Sequence, residues 1–208
     1  INISNGNHFS LSHSTNISSK PYYLFISLIK DIFNISEIDN MDICQKKLDK
    51  GINTLISINK EKERHLKLAL PFLGFLIGIK YEDDRLNDRS EFQNHIHRSL
   101  RTLLESICRS ANNNKFPYIF ILDDLHWIDK MSLDALDYIL NTFNLNNKRD
   151  KLSLSYPLFL CTYRSEYNLA SNIVKYLEFN ELELNPLSKS DSLALIEHYT
   201  SKLNLDKQ

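Results

Sequence analysis

Residues 117–129 read PYIFILDDLHWID, and this run constrains the fold more than any other part of the 208-residue chain. The apolar and aromatic residues Tyr118 to Leu122 lie between Pro117 and the adjacent Asp123 and Asp124. A short continuous run of this kind fits a strand buried on both faces of a parallel sheet, not a half-solvated antiparallel one. Carboxylates at the C-terminal end of such a strand stand where open α/β sheets bind their ligands. One carboxylate there can hold Mg²⁺ beside phosphate oxygens, and a second can orient or deprotonate a water. Asp123 is then the metal-side acid and Asp124 the water-side acid. The structural alternative is that both begin a turn and cap the next helix, as Asp often does.

The rest of the chain predicts helices around such a strand. Residues 1–20 are polar and read as an edge strand or loop, with a Phe9/Leu11 alternation, running into Pro21. Apolar residues recur at helical spacing from Tyr22 to Phe33, over 42–58 and 62–70, and from 91 to 110, where Phe92, Ile96, Leu100, Leu103, Leu104 and Ile107 form one stripe. Residues 71–80 read as a separate short buried helix or turn, and Glu82 to Arg89 as an acidic loop. After the acidic strand, Leu133, Leu136, Ile139, Leu140 and Phe143 mark a helix, and polar 144–156 an exposed insertion. Strands are predicted at Leu158–Thr162 and Phe179–Leu184, and helices over 167–177 and from Ser188 and Asp191, a capping-box spacing. The alternation of helix and strand predicts a doubly wound α/β domain.

Composition excludes several function classes. Lys plus Arg (25) nearly balances Asp plus Glu (26), and without a dense basic stripe an electrostatic nucleic-acid binder is not indicated. No apolar run approaches the roughly 20 residues of a membrane span; the best, Leu68 to Ile79, is interrupted by Pro71, Gly74 and Gly78. Cys44, Cys108 and Cys161 are odd in number and far apart, which fits reduced core thiols of a cytoplasmic protein. The Asn-x-Ser triplets at Asn2, Asn16 and Asn34 follow from composition. His95 and His97, two apart on a helix, face different ways and are read as solvated surface. Asp129 reads as the cap of the helix beginning near Ser132. His126 and Trp127 either contact a ligand or pack locally. The chain opens on Ile1 rather than Met, which predicts a piece of a longer polypeptide.

The stretch resembles the Walker B region of the STAND branch of AAA-like P-loop ATPases, in which hydrophobic residues precede an acidic pair and His-Trp-x-Asp. Here these are Tyr118 to Leu122, Asp123, Asp124, His126, Trp127 and Asp129. The resemblance continues in order: LFLCTYRSEY (158–167) is similar to the sensor-1 strand, with Thr162 and Arg164 at the polar and arginine positions. LELNPLSKSDSLALI (182–196) is similar to the passage into the helical lid, and SKPYYLFISLIKDIF (19–33) to the segment after the second strand. The resemblance implies a three-layer P-loop NTPase-like fold lacking its first strand and phosphate loop. Residues 1–186 would be a partial ATPase core and 187–208 the start of the lid. It implies ATP and Mg²⁺ as cofactors of the parent protein. Asp123 would hold Mg²⁺ through water, Asp124 would position the attacking water and Arg164 would sense the γ-phosphate, with Thr162 and His126 beside the nucleotide. The implied partners are other domains of the parent, such as a nucleotide cyclase, and further copies of the module.

One half of that machinery is missing. The phosphate loop G-x-x-x-x-G-K-[ST] is begun by none of Gly6, Gly51, Gly74 or Gly78. GFLIGIK (74–80) has the wrong spacing and no following Ser or Thr, so its glycines are read as admitting a close neighbour. This chain alone is therefore expected to bind ATP poorly or not at all. The rival expectation is a non-catalytic scaffold that keeps the ATPase fold after losing the loop. A metal-dependent hydrolase built on the Asp pair lacks a second ligand cluster.

Overall fold

The computed structural model describes residues 9–13, 20–111, 118–149, 157–167 and 180–205. Residues up to Glu178 form one compact unit, and those from Phe179 another. Three strands, β1 (Phe9–His13), β2 (Ile119–Asp123) and β3 (Leu158–Cys161), form a parallel sheet in the order β1-β2-β3. The acidic strand is thus the central one among the described residues. Phe120 and Leu122 are fully buried, whereas Ile119 and Ile121 on the opposite face are half-buried. Complete burial on both faces was too strong an expectation, because only one side of β2 is tightly packed.

The described part of the long crossover from β1 to β2 carries four α-helices. Helix α1 (Tyr23–Phe33) buries Leu24, Phe25, Leu28, Ile29, Ile32 and Phe33 at i, i+3 and i+4 spacing. It ends in a left-handed turn at Asn34 (φ 53°), where Ile35 N–H reaches back to the Lys30 carbonyl at 2.8 Å. Helix α2 (Met41–Ile58) starts at Asn40, whose side chain accepts from Ile43 N–H at 2.9 Å. Helix α3 (Glu63–Leu76) continues through Pro71, so residues 71–76 belong to it and form no separate element. The ring removes one backbone bond, but buried Leu66, Ala69, Phe72 and Leu73 form one face that carries the helix across it. Helix α4 (Phe92–Ala111) packs its predicted stripe against α3, with the Phe72 ring stacked on His95 at 4.8 Å. Burying each such Leu, Ile or Phe side chain contributes about 1.5–3 kcal/mol.

Glycines 51 and 74 serve this packing: an added Cβ would lie 2.1 Å from the Phe33 ring and 2.3 Å from the Tyr81 ring, respectively. Helix α5 (Lys130–Arg149) follows β2 and runs into the predicted insertion, since polar composition does not end a helix and no Gly or Pro occurs before Pro157. The predicted helix over 167–177 lies almost wholly outside the described residues. Cys44 and Cys108 are buried free thiols, and Cys161 is a half-buried one.

In the second unit, residues 180–184 form no strand, and Leu182 and Leu184 are 83% and 84% exposed. Alternation alone makes no strand without a neighbour to share its backbone bonds. Helix α6 (Lys189–Leu205) opens as predicted: Ser188 Oγ accepts from Asp191 N–H at 3.1 Å and donates to the Asp191 carboxylate at 2.6 Å. No helix among the described residues is long and apolar enough to cross a membrane.

Candidate functional site at the end of the central strand

Parallel pairing brings the ends of the strands together. The register sets Leu122 beside Cys161, so Asp123 and Asp124 reach the sheet end together with Thr162. Three hydrogen bonds tie the two strand ends: Leu122 C=O accepts from Thr162 N–H (3.0 Å), Thr162 C=O from Leu125 N–H (2.9 Å), and Thr162 Oγ1 from Asp124 N–H (2.9 Å). The Thr162 hydroxyl also donates to the Asp123 carboxylate. A hydroxyl can accept and donate at once, which suits Thr162 to clamping two neighbouring acids. On the other side of β2, His13 occupies the register position of Asp123.

Asp124 lies in the left-handed region (φ 57°, ψ 42°) and starts a tight turn, Leu125–Trp127, without a side-chain cap of that turn. Its carboxylate is more than half exposed, and the His126 Nδ1 stands 3.8 Å from it. The His126 side chain is 9% exposed, and neither ring nitrogen has a hydrogen-bond partner among the described residues. Trp127 is 37% exposed, with the His126 ring 5.1 Å away and the Arg164 guanidinium over the indole at 5.7 Å. Arg164 forms no ion pair among the described residues. The structure therefore brings Asp123, Asp124, His126, Thr162 and Arg164 to one sheet end.

Asp129 does more than its predicted capping of α5. One carboxylate oxygen accepts from Ser132 N–H (2.9 Å) and Tyr22 N–H (3.0 Å), and the other from Tyr23 N–H (3.1 Å). One acid thus serves the N-termini of α5 and α1, elements more than 100 residues apart. Two positive helix ends meet one negative charge there. No local sequence signal marks the second half of this arrangement, and the Pro-Tyr step at 21–22 is its nearest trace.

Beside it, the Tyr22 hydroxyl lies 3.4 Å from His97 Nε2, and His97 also meets the Tyr138 ring. Burial, reinforced by the Asp134 and Asp129 charges, pushes the Tyr22 phenol up to about 12. Burial lowers His97 below the ordinary imidazole range, opposed by Asp134. The reading of both histidines as solvated surface is corrected: His97 is buried between aromatic rings, and His95 is half-buried on Phe72. His97 meets Tyr22 at the start of α1 and Tyr138 of α5, and His95 meets Phe72 of α3.

Asp123 and Asp124 present carboxylate oxygens, the donor type that Mg²⁺ takes while keeping several waters, and the Thr162 hydroxyl is engaged with Asp123 and the Asp124 N–H. No group of three or more His, Cys, Asp or Glu able to hold a metal occurs among the described residues. No protein-family model, curated protein or solved structure matches the chain.

Proposed function

We propose that this chain is the metal-and-water half of an ATP site in a STAND-type regulatory ATPase module with a P-loop NTPase-like core. One observation carries the reading. An acidic pair at the end of a central parallel strand and a Thr-x-Arg just after its neighbour meet at the same sheet end. Asp123, oriented by Thr162, would hold Mg²⁺, which when bound supplies charge neutralisation for phosphate oxygens. Asp124, solvent-facing at the head of its turn, would position a water, and Arg164 would offer its planar fork to an oxyanion. His126 would lie behind Asp124. The second unit would begin the helical lid. The reading also implies a further strand carrying the phosphate loop, and β3 leaves Leu158 and Leu160 each 53% exposed where an additional layer would cover them. The module would work in the cytoplasm, with the output domain of its parent and other copies of itself as partners.

The test is Mg²⁺-dependent ATP turnover by the polypeptide extended through the residues encoded upstream of Ile1. A G-x-x-x-x-G-K-[ST] motif is expected within roughly 50 residues, since the phosphates need a backbone cradle. Asp123→Ala and Asp124→Asn should each abolish turnover with folding intact; unchanged rates in either variant would remove the mechanism. The second reading is a non-catalytic scaffold, favoured by the lack of that motif within Ile1–Gln208. A start codon upstream with no such motif would establish it.

A further inference from the structure

We infer that Trp127 is a positioning residue for Arg164, holding the flat face of its guanidinium while leaving the edge donors open to a phosphate oxyanion. The inference rests on the anion-facing role proposed for Arg164. Trp127 is the single tryptophan of the chain, and at 37% exposure it is too open to be a core anchor. Its place is fixed by backbone, not by burial. Trp127 N–H donates to the Asp124 carbonyl at 2.9 Å, and Leu125 N–H to the Thr162 carbonyl at 2.9 Å. The turn carrying the indole is therefore tied to Thr162, directly after β3 and two residues before Arg164, and the guanidinium comes to lie 5.7 Å from the ring centroid. The His126 ring lies against the indole at 5.1 Å.

Guanidinium chemistry makes this arrangement useful. The cation is attracted to the aromatic face, whereas its five N–H donors point outward in the plane. A carboxylate partner would occupy those donors; an indole does not, and Arg164 has no ion pair among the described residues. Arg164 is thus oriented at the end of the strand next to the acidic pair, with no carboxylate partner among the described residues. Less side-chain freedom then remains to be lost when an oxyanion arrives.

The experiment uses the 208-residue chain and inorganic phosphate with Mg²⁺ as the probe. In ¹⁵N-resolved NMR spectra, the Arg164 Nε–Hε resonance should carry a ring-current shift that disappears in Trp127→Leu and persists in Trp127→Phe. Phosphate should move that resonance further, with an apparent affinity about two- to fivefold weaker in Trp127→Leu, as an exposed cation–π contact implies. Trp127→Phe should recover most of the loss, which a merely structural change at the turn would not. An Arg164 resonance indifferent to Trp127→Leu, equal phosphate affinity in the two chains, or no phosphate response at Arg164 would each overturn the inference. The turnover measurements on Asp123 and Asp124 decide the nucleotide reading separately, because the hold on Arg164 can exist in a chain that never hydrolyses ATP.

Discussion

Replacing Asp129 with alanine should cost the fold more than any exposed loop substitution, because it uncaps two helices at once. The carboxylate accepts from Tyr22, Tyr23 and Ser132 N–H at 3.0, 3.1 and 2.9 Å, with Ser132 Oγ as a fourth donor. Loss of one N-cap costs about 0.5–2 kcal/mol. Loss of the charge at two positive helix ends adds about 0.3–1 kcal/mol for each. These contributions share one side chain and do not add fully, so the loss is set at about 2–4 kcal/mol. For a chain of this size that lowers Tm by roughly 5–15 °C. Asp129→Asn keeps one carbonyl oxygen for Tyr22 and Ser132 but presents an amide to Tyr23, and should lose about half as much. Urea unfolding followed by circular dichroism measures both. A loss below about 0.5 kcal/mol for Asp129→Ala, typical of neutral surface changes, would show that α1 and α5 do not depend on this shared acid.

Two further perturbations test the packing. Gly74→Ala would place a methyl 2.3 Å from Tyr81 Cε2, and that ring is held in place by a 2.7 Å bond from its hydroxyl to Asp49. Overpacking costs about 1–3 kcal/mol against a helix-propensity gain of about 1 kcal/mol. A net loss of about 1 kcal/mol is therefore expected in urea unfolding, shrinking when Tyr81→Ala is combined with it; a stabilised single variant would refute the close contact. His97 sets a pH dependence: burial against Tyr22 and Tyr138 holds its folded value below the ordinary 6.5, and Asp134 only partly offsets this. Below 6.5 the unfolded chain binds a proton that the folded chain resists, so stability falls as pH drops toward the folded value and is fully recovered above 6.5. His97→Gln should flatten the urea midpoint over that acid interval while leaving its neutral-pH slope alone; an unchanged acid slope would place the titrating group elsewhere.

Periodicity made the helices legible because α1, α2, α4 and α5 each bury one stripe, which the spacing of Leu, Ile and Phe displays directly. It failed at Pro71, where the local rule for proline predicts a break and packing on α4 overrides it. It failed again at 180–184, where alternation promised a strand but pairing depends on a neighbour that local sequence cannot supply. The acidic pair was legible from its place after an apolar run. Its place beside Thr162, 39 residues on, was expected only from the family resemblance, since local sequence does not set the sheet order and register that bring the two together. His13 continues the alternation of Phe9 and Leu11, yet its register beside Asp123 is likewise a product of topology.

The structural explanation of the acidic pair, that both carboxylates merely turn the chain and cap the next helix, can be judged bond by bond. The cap of α5 belongs to Asp129. In the tight turn, Leu125 N–H is taken by the Thr162 carbonyl and Trp127 N–H by the Asp124 carbonyl, so main-chain oxygens satisfy it. The Asp124 side chain makes no cap there, although its backbone adopts a left-handed conformation that costs roughly 1 kcal/mol for a residue with a Cβ. Glycine would take that conformation more cheaply, and asparagine as readily. Turn formation therefore explains the backbone at 124, and the turn's own backbone bonds do not use the Asp124 carboxylate. Asp123 differs: its carboxylate is engaged by the Thr162 hydroxyl, an interaction that joins two strand ends at the edge where parallel sheets commonly bind ligands. The pair divides accordingly: the Asp123 carboxylate is bonded to the Thr162 hydroxyl across the two strand ends, whereas the more than half exposed Asp124 carboxylate stands 3.8 Å from His126 Nδ1.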